Sequence, residues 1–502
     1  MEPYYAGWLS LLPPVIAITL ALLTKEVISS LLIGILTGTF IYSVGMNSDV
    51  LFMGTIESAF DTMANKVDFN ILVFCTLLGA LVYTISMAGG TRAYGKWATR
   101  RIKSRKAALL STGGLGAFIF IDDYFNCLTV GTVMKPVTDS YKISRAKLAY
   151  IIDATAAPIC IIAPISSWAA AVGSNLRTTG AFSSDFAAFV STIPYNFYAL
   201  LSIAMVGLIC LTNSDFGPMR TAEERAQHGD LGAVDGSSEK QVQPAERGTV
   251  WDMLLPIGSL IVFAVLGLLY SGGYWGNCTA AKALVWASVG ALTVSFLLFV
   301  PRGLLSFRTF MDGAVEGMKA MLPANIILVL AWTISGVCRD LLQTPIFVQS
   351  LVAAFLPAIV FLIAGFLSFS TGTAWGTFGI LIPIIVPVAQ AVDPDLVVVS
   401  LSATLAGSVF GDHCSPISDT TILSSAGAGC NHIEHVSTQL GYACIVAFCC
   451  FVGYVVAGFT KANLWWSLGS SLVLLLISVF ILHMLGNKRA AARETAAIGG
   501  NA

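Results

Sequence analysis

Residues 411–421 read Gly-Asp-His-Cys-Ser-Pro-Ile-Ser-Asp-Thr-Thr, which sets Asp412, Asp419, His413 and four hydroxyls inside an otherwise apolar segment. Charge is costly in such surroundings and calls for a reason. Pro416 at the centre lacks a backbone N–H and interrupts the hydrogen-bond ladder, so nearby carbonyls and amides must be satisfied by protein, water or an ion. Carboxylate, hydroxyl and carbonyl oxygens gathered together suit a small hard cation. A carboxylate can also take up a proton, which gives such a site a way to release the cation.

Three other places carry polar residues within apolar sequence: Asp122-Asp123-Tyr124-Phe125-Asn126, Asp153 shortly before Pro158, and Ser368 to Thr373. Intramembrane carboxylates are rare and usually face a cavity, another charge or a cation. Asp122 and Asp123 are adjacent and point in different directions on a helix, so one of them is expected to cap a turn; Asp123, which shares a face with Asn126, is assigned to the site. Ser370, Thr371, Gly372 and Thr373 offer hydroxyls and close backbone approach, as in a sodium shell or a carboxylate-binding helix terminus, although a tight turn has the same composition. Asp153 reads either as part of an ion pathway or as an acceptor that stabilises the break at Pro158. His413 reads either as a proton-coupling group or as a neutral imidazole bonded to a backbone carbonyl. His432 and His435 flank a polar loop and are read as solvated. The expected solute-binding residues are Asn126, Ser370, Thr371, Gly372, Thr373, Ser415 and Ser418. The expected ion- and proton-coupling residues are Asp123, Asp153, Thr155, Asp412, His413, Asp419 and Thr420, with sodium at Asp412, Asp419, Ser415 and Thr371.

The elements that must position these residues are apolar and long. Hydrophobic residues make up 56% of the 502 positions and charged ones 11%, with apolar runs recurring from residue 8 to residue 487. This is the composition of an all-α polytopic membrane protein. The net charge of −1 points to no nucleic acid. Lys25, the first basic residue, follows the first apolar run, so that run is expected to stay as a transmembrane helix rather than be cleaved as a signal peptide. The eleven cysteines lie almost entirely in apolar segments, without disulfide or zinc spacing, and are read as buried thiols.

Segments 107–134 and 345–392 are each long enough to enter the membrane and return, and the stretches around Asp153 and Asp412 read as broken helices. The cluster Arg92, Lys96, Arg100, Arg101, Lys103, Arg105 and Lys106 and the group Lys135, Lys142, Arg145 and Lys147 are expected in the cytoplasm. The segment between them is then a re-entrant hairpin, the amino terminus lies outside, and the Lys488/Arg489/Arg493 tail lies inside. Residues 213–247, rich in Glu, Gly, Gln and Ser, read as a solvated linker.

The two halves resemble each other. Pro158-Ile159 with Ser166-Ser167 matches Pro416-Ile417 with Ser424-Ser425 at one offset of 258 residues, and Tyr83-Thr84-Ile85-Ser86 echoes Trp332-Thr333-Ile334-Ser335. Copies that begin on opposite sides of the membrane form an inverted repeat. The expected organisation is a first repeat over 1–212, a cytoplasmic linker over 213–249, a second, inverted repeat over 250–460, and an extra helix with a cytoplasmic tail over 461–502. Residues 51–64 and 303–321 read as interfacial amphipathic helices at equivalent places in the repeats.

The run Gly411 to Thr421, together with Thr371-Gly372-Thr373-Ala374-Trp375-Gly376-Thr377 and Asp153-Ala154-Thr155-Ala156-Ala157-Pro158, resembles the NhaC-type sodium/proton antiporter family across roughly residues 8–460. The resemblance implies inverted repeats with a scaffold and a moving core, alternating access, and Na+ and H+ as coupling ions, with no other cofactor. His413 stands where members of that family often carry a lysine. The family also includes exchangers of organic acids and amino-acid carriers, so a small organic solute such as an amino acid is the second expectation. A di- or tricarboxylate is disfavoured, because the core motifs hold no Arg or Lys to pair its charges. Trp168 and Trp375 beside the breaks leave room for a partly apolar solute or simply pack. His413 and Ser415 form no evident nucleophile–base pair, so an enzyme is not expected. The expected partners are the lipid bilayer, a small cation or solute, and a second copy of the chain in a homodimer.

Overall fold

The computed structural model describes residues 3–499 except 25, 47–50, 91, 94–96, 98–100, 183, 234–244, 246, 271–279 and 344–354. Lys96, Arg100, Cys278, the middle of the linker and the first residues of the 345–392 stretch therefore lie outside the described residues, as do the side chains of Arg339, Lys488, Arg489 and Arg493.

The described chain is helical throughout, and its only β pairing is an isolated bridge between Ala233 and Cys430. It begins with α1 (Leu12–Thr24), α2 (Val27–Gly45), α3 (Leu51–Lys66) and α4 (Phe69–Met87). A helical hairpin follows, α5 (Arg105–Phe118) and α6 (Asp123–Ser140). Then come α7 (Arg145–Thr155), α8 (Ser167–Thr179), α9 (Asp185–Thr192), α10 (Phe197–Thr212) and α11 (Gly217–Gln227). The second half runs through α12 (Trp251–Tyr270), α13 (Ala280–Phe299), α14 (Phe307–Ala320) and α15 (Leu322–Gly336). A second hairpin, α16 (Leu356–Thr371) and α17 (Ala374–Val392), precedes α18 (Val397–Cys414), α19 (Asp419–Ala428), α20 (His432–Phe459) and α21 (Leu464–Gly499).

Among the described residues eight helices are long and apolar enough to cross a membrane, or nine if the bent pair α14 and α15 forms one span. Large apolar side chains such as Phe366, Phe448, Ile477 and Phe480 remain exposed on the outer helices, as a lipid-facing surface requires. The chain is a multi-pass membrane protein. Of the described cysteines only Cys444 is exposed, and none forms a disulfide. In α3 and α14 the buried face is small, Thr55, Ser58, Ala59 and Thr62 in one and Phe310, Gly313, Ala314 and Gly317 in the other. Phe52, Phe60, Phe307 and Met311 point outward.

Four helix ends interrupt the buried interior, and side chains or glycine complete them. Asp122 Oδ1 accepts from Phe125 N at 3.0 Å to start α6, Ser166 Oγ accepts from Ala169 N at 3.0 Å to start α8, and Ser418 Oγ accepts from Thr421 N at 3.3 Å to start α19. Each cap satisfies one of the orphan donors that a helix start exposes. The second hairpin turns at Gly372, whose φ of +67° lies in the left-handed region. α7 ends as the backbone turns sharply at Ala156, and a single turn, Ala157–Cys160, leads toward α8.

The halves interlock. α6 packs against α19, and α17 packs against α8, so the second arm of each hairpin lies on the second arm of the other half's broken helix. Gly131 and Gly427 permit the first crossing, since a Cβ on Gly131 would sit 2.7 Å from the Gly427 Cα. At the second, Trp168 and Trp375 meet edge to face with ring centroids 5.9 Å apart.

Two expectations change. Part of the segment read as a solvated linker forms α11, which buries Met219, Ala222, Glu223 and Ala226 against α7 and α20. Lys147, read as a residue of a cytoplasmic loop, is fully buried in the first turn of α7. Its Nζ lies 2.6 Å from Asp215 Oδ2 and 3.6 Å from Glu223 Oε2, while Arg105 also pairs with Glu223. The two departures have one cause, because the carboxylates that make a buried ammonium tolerable come from the linker itself.

Candidate functional site

The break between α18 and α19 gathers the residues of the 411–421 run. Asp412 closes α18 and is 2% exposed; its Oδ2 accepts from Thr420 Oγ1 at 3.2 Å, and its Oδ1 has no hydrogen-bond partner. Ser418 Oγ lies 3.1 Å from Thr420 Oγ1, and Ser415 is fully buried in the break. Asp419 opens α19, and Tyr124 of the first hairpin donates its phenolic hydrogen bond to Asp419 Oδ2. Asp123, 1% exposed, leaves Oδ1 without a partner and lies beside the Trp168 indole. Asp412 stands within electrostatic reach of Asp419, Asp153 and Asp123.

The tip of the second hairpin touches the same break. A Cβ on Gly372 would lie 2.6 Å from the Ile417 carbonyl oxygen, so the turn and the broken helix are in backbone contact. Thr371 Oγ1 reaches Thr373 O at 3.5 Å, and Ser370 Oγ donates back to Phe366 O at 2.7 Å. Ser368 Oγ, also buried, has no partner.

A second cluster surrounds Asp153, which is fully buried near the end of α7. Its Oδ2 accepts from Gln439 Nε2 at 2.6 Å and Thr421 Oγ1 at 3.2 Å, and lies 3.4 Å from His435 Nε2. His413 Nε2 lies 3.0 Å from the Asp153 carbonyl oxygen, and its Nδ1 lies 3.2 Å from the Tyr198 hydroxyl. A neutral ring that donates from Nε2 to the carbonyl and accepts at Nδ1 from tyrosine satisfies both contacts.

The remaining residues of the expected set are held in place by backbone contacts. Asn126 Nδ2 donates to the carbonyls of Gly116, Ile119 and Thr155 at 2.7, 2.9 and 3.1 Å, tying the first hairpin tip to the end of α7. Its Oδ1 is buried without a partner. Thr155 Oγ1 donates to Ile151 O at 2.7 Å. Asp122 is the capping member of its pair, with Oδ2 accepting from Ser167 Oγ at 3.2 Å.

His435 corrects the reading of a solvated histidine, being fully buried at the Asp153 cluster. It fell beside a polar loop in sequence, but α20 starts only three residues earlier and turns it inward. His435, Gln439 and Tyr442 recur at four- and three-residue intervals on one face of α20, and that spacing is the signal that finds them. Tyr124, Tyr198 and Thr421 also join the clusters, and their partners lie too far along the chain for spacing to reveal them. The only ion-pair partners of Asp153 among the described residues are histidines, and Asp123, Asp412 and Asp419 have no Lys or Arg within ion-pairing distance there. Among those residues no three His, Cys, Asp or Glu side chains converge as a metal site.

Helical hairpins and broken helices that bring buried, unpaired oxygens together within a multi-pass bundle define a secondary transporter. The model of the Na+/H+ antiporter family matches residues 169–459. The chain belongs to that family. It is 38% identical over 482 residues to an uncharacterized protein of Haemophilus influenzae, covering 91% of this chain and 92% of that one. Over 223 residues it is 26% identical to the malate-2H(+)/Na(+)-lactate antiporter of Bacillus subtilis, covering 40% of this chain and 47% of that one. In fold it is similar to the crystal structure of the YdaH transporter of Alcanivorax borkumensis, with a TM-score of 0.55 and 13% identity, over 81% of this chain and 88% of that one.

Proposed function

We propose that the protein exchanges sodium for protons across the cytoplasmic membrane by alternating access. The observation that carries this reading is the set of buried carboxylate oxygens at Asp412 and Asp123 that have neither hydrogen-bond partner nor cationic side chain. A buried carboxylate ionised with one oxygen unsatisfied and no cation beside it is costly, so each is protonated or joined by a cation, and exchange alternates these two states. Sodium binds Asp412 and Asp419 with Ser415 and Thr371, and Asp123 lies close enough to bias the binding. Since no third acidic side chain converges on one point among the described residues, hydroxyl and carbonyl oxygens freed at the break complete the shell. Protonation of the carboxylates releases the ion.

The repeats over 1–212 and 250–460 are related by inversion, with the segment 213–249 between them and the region 461–502 beyond. Reciprocal packing of hairpins on broken helices supports this arrangement. The amino terminus lies outside and the carboxyl terminus in the cytoplasm, an orientation supported by the basic residues around 92–106. A hydrolytic role for His413 and Ser415 is disfavoured, since both ring nitrogens of His413 are already engaged by Tyr198 and Asp153.

Similarity to an antiporter of malate and lactate favours a second reading, in which the sodium site drives a small organic solute. Proteoliposomes separate the two. A proton gradient should drive labelled sodium uptake with no solute added, whereas a strict requirement for an organic acid or amino acid would replace the first reading with the second.

A further inference from the structure

We infer that Asp153 and His435 form a proton site separate from the cation site at Asp412 and Asp419, and that the first turn of α19 couples the two; this rests on the sodium/proton reading above. Asp153 is fully buried, and among the described residues its only potentially cationic neighbours are His435 and His413. His413 is occupied by the Asp153 carbonyl and the Tyr198 hydroxyl. His435 is not so constrained. Its Nε2 lies 3.0 Å from Ser424 Oγ and 3.4 Å from Asp153 Oδ2, and its Nδ1 is buried without a partner. Because Ser424 already donates to Thr421 O at 3.1 Å, its oxygen accepts from His435, which places a proton on Nε2 toward the Asp153 carboxylate.

An aspartate ionised beside a neutral histidine would hold a buried charge with only the hydrogen bonds of Gln439, Thr421 and His435, and no cation, to offset it. The pair is therefore stable with one further proton, held either on the carboxylate or on the imidazole. The groups that face it from surrounding elements are few. α18 presents His413, Asp412 and Cys414, α6 presents Cys127, and α19 presents the hydroxyls of Thr421 and Ser424. Gln439 comes from α20 itself, and Glu434 at the start of that helix pairs with Arg225 of α11 instead.

The coupling element is explicit in the hydrogen bonds. Thr420 Oγ1 donates to Asp412 Oδ2 and Thr421 Oγ1 donates to Asp153 Oδ2, each at 3.2 Å, so consecutive residues of one helical turn hold the two carboxylates. A displacement of that turn cannot alter one contact without straining the other. Loss of the proton from the Asp153–His435 pair and arrival of the cation at Asp412 are linked through α19.

The test combines a titration with a transport measurement. In wild-type protein carrying nitrogen-labelled imidazoles, one buried histidine signal should respond to pH, vanish in His435→Gln and move in Asp153→Asn. Sodium-induced thermal stabilisation at fixed pH should persist in both variants with the apparent Kd shifted about fivefold or more, while proton-driven sodium flux keeps only the shallower pH dependence that the Asp412 and Asp419 carboxylates supply. Asp412→Asn should do the reverse, losing the sodium response and keeping the histidine titration. An unresponsive His435, an unchanged pH profile in His435→Gln, or loss of sodium binding in both Asp153→Asn and His435→Gln would overturn the inference. Asp153→Glu, which keeps the titrating group, should retain pH-dependent flux and guards against misreading a folding defect. Wild-type protein that moves no sodium against protons overturns the antiport reading itself, a failure recognisable because it precedes any substitution.

Discussion

At the scale of single residues, the two clusters divide polar groups into those already satisfied and those left waiting. His413 belongs to the first kind, with both ring nitrogens engaged. His413→Gln should lower stability by about 1–2 kcal/mol, the effect of losing one buried hydrogen bond and stranding a tyrosine hydroxyl, and should leave the pH profile of transport in place. Thermal unfolding and flux measured from about pH 5 to 8, the range in which an ordinary histidine titrates, check both halves; a flattened profile in a stable variant would contradict this role. Much of this scale was legible beforehand. Asp412, Asp419 and Asp153 stand out because charge is rare in apolar sequence, and proline marks the breaks beside them. His435 and Gln439 were not, because their partner Asp153 lies more than 280 residues earlier and only the fold brings them together.

At the scale of elements, the site depends on how helix ends meet. Gly372 combines a left-handed backbone with contact to the Ile417 carbonyl, so Gly372→Ala should cost about 1–3 kcal/mol from backbone strain, plus whatever separates the hairpin from the break. Reduced transport with stability unchanged would show that the contact is dispensable for folding and contradict that expectation. Lys147 anchors the start of α7, the helix that carries Asp153, through carboxylates of the preceding loop and α11. Removing it by Lys147→Met strands buried charge and should destabilise by about 3–5 kcal/mol. Adding Asp215→Asn and Glu223→Gln should recover much of the loss, and chemical or thermal unfolding of the three variants measures it. The hairpins and broken helices were readable from prolines, glycines and the length of apolar runs. The docking of α11 was not, since its composition is that of a solvated segment and only its few buried positions say otherwise.

At the scale of the whole molecule, the second arm of each hairpin packs on the broken helix of the other half of the chain, and in the proposed alternating access this reciprocity would let one bundle hold a site reachable from either side. Cysteines introduced at positions 100 and 230 should be labelled from the cytoplasm and one at 393 from outside; opposite labelling of 100 and 230 would contradict the inverted arrangement. The 258-residue offset between the two proline breaks is the sequence sign of the proposed repeat, whereas the crossings through Gly131 and Gly427 required the assembled chain. Sodium binding at Asp412 is the claim on which exchange depends, and ligand-induced stabilisation of purified protein tests it most directly. Sodium at about 100 times its Kd should stabilise the wild type by about 2.7 kcal/mol, and Asp412→Asn, which keeps the shape and removes the charge, should abolish that gain without unfolding the protein. A well-folded Asp412→Asn protein that sodium stabilises as it does the wild type would contradict the assignment.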